Sequence, residues 1–332
     1  MKPKVSKALK YILSLVFATV LVYFSFRGVD WGHFKVVLSQ ADWMWLGVSM
    51  ALGITAYFVR ALRWHILLKP FDSTLGIGRV FNGVNIGYIT NFVFPRAGEF
   101  TRCAVVSKGK VTYDKALATV VLERSIDVLC LFLLTLALLL CKWNRFGTFF
   151  SEHIFSSLKS KFALGWIVFA VLVVFASAVY LLYNFKDKNV VAAKIYGFFA
   201  GIWSGIKTCL CMERKGLFLF YTVVIWALYW AMSYTTILAL SSISPLFGAS
   251  DALFLAIAAS LGWLVPAPGG IGSFHFIVAL ALSSVYALSW QDGIIFATLS
   301  HESQSITMVL CGLLSMLSLI ISKDRKEKVS EL

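Results

Sequence analysis

Residues 116–141 read ALATVVLERSIDVLCLFLLTLALLLC. The seven residues Ala116–Leu122 are mostly apolar, and the thirteen of Val128–Leu140 form a run with no charge. A bilayer core takes about 20 such residues in helical form, because each backbone N–H and C=O must find its partner inside the segment. The same signature recurs outward in both directions. Tyr11–Phe26, Trp166–Tyr183, Leu217–Leu240 and Ile306–Ile321 are almost free of charge.

Composition agrees with that reading. Apolar residues make up 59% of the 332 and charged residues 14%, against roughly 45–50% and 25% in a soluble domain. The mean hydropathy of +0.82 reflects the same apolar excess. The fold class expected is therefore an all-α, polytopic membrane helix bundle. The formal net charge of +14 sits in loops and tails between apolar runs, so it points to anionic lipid headgroups as partner and not to nucleic acid. Six scattered cysteines suggest neither a disulfide framework nor a metal site. The close pair Cys209-Leu-Cys211 has no histidine or acidic cluster beside it.

Apolar segments fall near 9–26, 43–68, 80–94, 116–141, 163–183, 216–240, 252–289 and 294–322. The chain reads as one integral membrane domain, 1–332, with tails at 1–8 and 323–332. The lysines before Tyr11 and the missing small-residue cleavage site after it suggest a retained first span. Two segments are interrupted. The third ends at Pro95, and the seventh is broken by Pro266-Ala-Pro-Gly-Gly-Ile-Gly272. Both are candidate broken or re-entrant helices, near 80–106 and 252–289. Lys/Arg bias puts Lys2–Lys10, Arg60–Lys69, Lys108–Lys115, Lys186–Lys215 and Lys323–Lys328 on the cytoplasmic side, with both termini. Six spans plus two re-entrant hairpins of opposite direction, or eight full spans, satisfy that bias equally. The basic stretch 142–162 falls on the wrong side of it. Trp31–Gln40 and Val190–Cys211 read as amphipathic helices at the interface, or as plain connectors.

A pair of Pro/Gly-interrupted segments is the best sequence pointer to a midplane binding site, because half-helix N-termini present free N–H groups and a positive dipole end. In the second break, Gly269, Gly270 and Gly272 permit positive φ and close approach. Ser273 is placed to cap the following helix and His275 to donate to a ligand. A structural kink with a packed histidine is the plainer alternative. In the first break, a helix starting at Pro95 would put Arg96, Glu99 and Arg102 on one face, where arginines fork onto phosphate or carboxylate. A basic cytoplasmic loop reads equally well.

Glu123, Arg124 and Asp127 lie about 10 Å into a span, where ionisable groups are costly and mark a binding site or pathway, or else a locking ion pair. Glu123 is a candidate partner for an arginine of the first break. Arg60, Arg63, Trp64 and His65 read as an interfacial anchor, and Asp251 and Asp292 as solvated turn residues. His301, Glu302 and Gln304 interrupt the last span and are candidates for lining the same cavity.

These motifs together resemble the transmembrane region of lysylphosphatidylglycerol synthases, a flippase-like integral membrane family. The resemblance rests on Arg63-Trp64 with its following leucines, Pro95-Arg-Ala-Gly-Glu99 with Arg102, Glu123-Arg124 with Asp127, and Pro268-Gly-Gly-Ile-Gly272. It implies a multi-pass protein of the cytoplasmic (inner) membrane of a bacterium or archaeon, acting on lipids. Position 275 departs from the pattern, with histidine where the family carries an acidic residue. With the chain ending at Leu332, the soluble aminoacyl-transferring domain is expected to be missing.

The leading expectation is a non-enzymatic lipid translocator with no cofactor and no ATP-binding loop. It would bind a membrane phospholipid or lipid-linked substrate through Arg96, Glu99, Arg102, Glu123, Arg124, Asp127, Gly269, Gly270, Gly272, Ser273 and His275. The alternatives are an intramembrane transferase on a lipid carrier, with Glu123 or Asp127 as base, and a membrane scaffold for a separate partner enzyme.

Overall fold

The computed structural model describes residues 16, 19–20, 22–23, 26–27, 29–107, 110–155, 190–240 and 244–330. Every regular element among them is helical, as the apolar runs require. In chain order these are α1 (Trp31–Gln40), α2 (Trp43–Leu68), α3 (Ile77–Val93), α4 (Gly98–Val106), α5 (Tyr113–Phe149), α6 (Val190–Leu210), α7 (Lys215–Leu238), α8 (Ala249–Leu264), α9 (Ser273–Tyr286) and α10 (Trp290–Ser330). Most of the expected first span and all of segment 163–183 lie outside the described residues. Five helical stretches have the length and composition to cross a membrane: Trp43–Leu68, Tyr113–His153, Lys215–Leu238, Pro268–Tyr286 and Trp290–Ser322. Val128, Leu129, Phe132, Leu133, Leu136 and Leu140 form an uncovered apolar stripe on α5, which suits lipid and not water.

Local chemistry sets the helix starts. Asp30 accepts from Gly32 N and His33 N ahead of α1, and Asp42 accepts from Met44 N at 2.9 Å ahead of α2. α7 packs along α2, and its end meets the start of α2 where Asp42 N donates to Ala239 O at 2.8 Å. That end also holds α1 and the start of α10, joined by Gln291 Nε2 donating to Asp30 O. The opposite, basic end gathers Lys69, Lys110, Lys115 and Lys215, with the Lys115 ammonium over the Phe71 ring.

Both interrupted segments fold back as hairpins, entered from opposite ends. In the first, α3 leaves the basic end, turns at residues 94–97 and returns as α4. A Cβ on Gly98 would strike the Gly87 carbonyl, so only glycine lets these arms touch. In the second, α8 and α9 start and finish at the other end, where Tyr286 Oη donates to Asp251 Oδ1 at 2.8 Å. Gly262 plays the matching part there, its Cβ position falling 2.7 Å from Phe274 Cα. The two tips meet. Arg96 donates to the Leu264 carbonyl at the end of α8, and Gly269 lies against the Phe92 ring. Arg96 thereby places a cation at the negative end of the α8 dipole.

Gly98→Ala is expected to destabilise the protein by about 1–3 kcal/mol, because a backbone carbonyl has to move. Gly216→Ala, with open space around it, serves as control. Thermal unfolding in detergent measures both, and equal midpoints would contradict the packed hairpin.

Several expectations change. The helix does not stop with the apolar segment at Cys141: α5 continues through a kink at Lys142 (φ −139°, ψ 37°) and into a π-helical turn, Phe150–Phe155. The kink turns Arg145 onto Asp251 at 3.0 Å and stacks Phe146 on Phe254 at 4.6 Å. Asp251 is therefore buried and paired, not solvated, and Arg145, part of the charge-bias exception, is neutralised within the fold. α1 has the expected bounds. α6 packs on α5, with Gly201 against Asp114 and Gly205 against Ala118, which is more than a plain connector does. α10 runs helical through the Lys/Glu-rich end to Ser330.

Candidate functional site

One apolar core near the basic end contains Trp64, Val84, Leu122 and Phe218, and another toward the other end contains Leu46, Leu131 and Ile237. Between them, α2, α4, α5 and α7 converge on a charged cluster. α2 supplies Arg60 and Arg63 one turn apart, α5 supplies Glu123 and Asp127 one turn apart, and α4 supplies Arg102. Glu123 is fully buried and Arg60, Arg63 and Arg102 are 6%, 0% and 4% exposed.

Glu123 accepts from all three arginines. Arg60 Nη2 and Arg63 Nη2 reach Oε1 at 3.2 and 2.9 Å, and Arg102 Nη1 reaches Oε2 at 3.1 Å. Asp127 shares Arg60 Nη2, at 2.9 Å, and takes the other prong of Arg63, 2.7 Å from Nη1. Tyr229 Oη lies 2.7 Å from Arg60 Nη1, and Arg63 Nη1 donates to Thr222 Oγ1 at 3.4 Å. At the margin, Arg124 lies within ion-pair distance of Glu99 and Asp127, at 3.8 and 3.9 Å, and Asn91 donates to Glu99 at 3.3 Å.

The cluster is not balanced. Four guanidiniums face three carboxylates among the described residues. Arg102 is the least satisfied, with Nε and Nη2 both buried and lacking hydrogen-bond partners. Its Cζ lies over the Trp64 ring, 4.7 Å from the centroid, and Trp64 is itself fixed by its indole N–H donating to Thr119 at 2.8 Å. A spare positive charge with unused, forked donors is chemistry suited to phosphate or carboxylate.

The structure sorts the candidate residues into two groups. Glu99, Arg102, Glu123, Arg124 and Asp127 belong to this cluster, and the expected pairing of Glu123 with a first-break arginine is present as Arg102. Arg96 does not share a face with Glu99 and Arg102. The helix starts at Gly98 and not at Pro95, and Arg96, at φ 64°, turns to the hairpin joint. Gly269, Gly270, Gly272, Ser273 and His275 form the second group. The glycines have the expected positive φ of 59°, 70° and 83°. Phe92 and Trp263 fill the space over Gly269 and Gly270. Ser273 is not the cap: Gly272 occupies that position, and Ser273 Oγ donates to the Gly262 and Gly270 carbonyls, both at 3.1 Å. His275 is buried beside His301, and His301 bonds the Gly269 carbonyl, while Gln304 reaches Ser49.

Arg60 and Arg63 are the residues that sequence reasoning missed. They lie inside the bundle with Trp64, not at an interfacial anchor, and His65 bonds the Leu75 carbonyl at 2.7 Å. A signal was present: two carboxylates one turn apart on α5 call for cations one turn apart on a neighbouring apolar helix.

The family described as the lysylphosphatidylglycerol synthase TM region matches residues 11–318. The chain belongs to that family. It is also similar to UPF0104 membrane protein PH1989 of Pyrococcus horikoshii, 26% identical over 126 residues, which cover 36% of this chain and 37% of that protein. The match thus spans little more than a third of that relative's length. No solved structure matches the chain. Family membership and the apolar helices together make this a multi-pass membrane protein with a role connected to membrane lipids.

Proposed function

We propose that this member of the family moves a phosphate-bearing lipid, or a lipid-linked precursor, between the leaflets of the cytoplasmic membrane, passively or coupled to an ion. The observation that carries the reading is Arg102, a buried guanidinium with two unused nitrogens in a cluster that holds one positive charge in excess.

A headgroup phosphate entering between α4 and α5 takes Arg102 from Glu123, and Glu123 keeps Arg60 and Arg63. The exchange swaps one charge-assisted pair for another, so the site opens without stranding a charge. Acyl chains stay against the apolar outer faces while the headgroup crosses between the cores. The basic end then faces the cytoplasm, in keeping with Lys/Arg bias. Two hairpins entering from opposite ends and meeting at their tips give the bundle two halves that can open alternately.

The reading is tested by reconstitution into liposomes with fluorescent lipids that share their acyl chains and differ in headgroup. Phosphate-bearing analogues are expected to cross at least ten times faster than a phosphate-free neutral one. Equal rates would overturn the assignment of the arginine cluster to phosphate.

A further inference from the structure

The second hairpin carries a group of side chains that the arginine cluster leaves unused. His301 and Glu302 on α10 face His275 on α9, and one ligand atom from each lies within 4.8 Å of the others. His275 and His301 are buried, whereas the Glu302 side chain is half-exposed.

Hydrogen bonding orients the His301 ring. Its Nε2 lies 2.8 Å from the Gly269 carbonyl oxygen, which only accepts, so Nε2 carries a proton and Nδ1 is left to direct its lone pair at a cation, whether metal ion or proton. That lone pair is 3.0 Å from Glu302 Oε1 and 3.3 Å from Ser305 Oγ. An imidazole lone pair and a carboxylate oxygen at that separation repel unless a cation lies between them. His275 Nδ1 is also buried with no hydrogen-bond partner, its ring centroid 4.8 Å from that of His301. Three electron-pair donors thus converge, one of them an orphan.

We propose that His275, His301 and Glu302 bind a divalent transition-metal ion, with Zn²⁺ the best match to the donors. Two imidazoles and one carboxylate form the ligand set of zinc sites that keep a position open. The bond from His301 Nε2–H to a backbone carbonyl is the outer contact that orients metal-bound histidines. Binding draws the donors in by on the order of 1 Å, to metal–ligand distances of about 2.0–2.2 Å. The ion ties α9 to α10 and, through Gly269, steadies the tip that rests on Phe92. This site stands independently of the phosphate reading.

The test uses the full chain, purified in detergent with a tag free of histidine, stripped with chelator and titrated calorimetrically with Zn²⁺. A parallel Co²⁺ titration reads nitrogen ligation from the visible spectrum. One ion per chain is expected, with affinity at least ten-fold lower in His275→Ala and in Glu302→Gln. It should be unchanged in His33→Ala, which removes an exposed histidine paired with Asp292. Glu302→Gln, at a half-exposed position, keeps the test valid if His275→Ala fails to fold, and thermal midpoints check each variant. Absence of binding to the stripped wild type would overturn the proposal and leave a proton as the cation between His301 and Glu302. Binding that survives both substitutions would overturn it as well.

Discussion

Glu123→Gln is expected to lower stability by about 3–5 kcal/mol, the loss typical when one partner of a buried ion pair is removed. The side chain keeps its size, so packing is spared and the change is one of charge. Glu123 accepts from Arg60, Arg63 and Arg102 at 2.9–3.2 Å. Without it, four guanidiniums share Asp127 and Glu99, and Arg102 loses its carboxylate altogether. Unfolding by SDS titration of the protein in mixed micelles measures the loss. Asp292→Asn, at the protein's edge, is the comparison. A Glu123→Gln loss below about 1 kcal/mol would mean that the cluster is wet and screened and does not lie between two apolar cores.

Arg102→Ala is expected to separate stability from function. It brings the cluster to three guanidiniums and three carboxylates, so no charge is left over, and Arg60 and Arg63 still hold Glu123. The cost is the Trp64 stack and one charge-assisted bond, about 1–3 kcal/mol. Movement of phosphate-bearing lipid in vesicles is expected to fall more than ten-fold. Arg102→Lys, which restores the charge without the fork, should recover part of it. Full movement in Arg102→Ala would favour a locking or scaffolding role for the cluster.

Much of the architecture was legible because the bilayer imposes simple rules. Apolar runs such as Val128–Leu140 have one viable structure, and Pro95 and Pro266–Gly272 cannot continue a helix. The three glycines declared their positive φ, and Glu123 and Asp127 stood out because charge is costly at that depth. What stayed hidden depends on partners distant in sequence. Arg60 and Arg63 near the end of an apolar helix look the same whether they reach for headgroups or for carboxylates on α5. Only the packing of α2 on α5 decides between these. Arg145 likewise looked like a breach of the charge rule until the kink at Lys142 brought it to Asp251. Ser273 has the residue type of a cap, but Gly272 adopts φ 83° and takes that position, freeing the hydroxyl for the α8 carbonyl. The junction of the two hairpin tips, through Arg96 and Gly269, left no trace in the sequence because neither residue has a local partner.

On the proposed function, the arginine cluster carries a phosphate headgroup across the membrane without altering it. The direct measurement is a vesicle assay in which a labelled phospholipid is followed by quenching of the outer leaflet, with the recovered lipid weighed by mass spectrometry. Wild-type protein should expose inner-leaflet label to quencher while the lipid mass stays unchanged, and Arg102→Ala should leave the label protected. A changed lipid mass, or inner-leaflet label that stays protected with wild-type protein, would contradict the account.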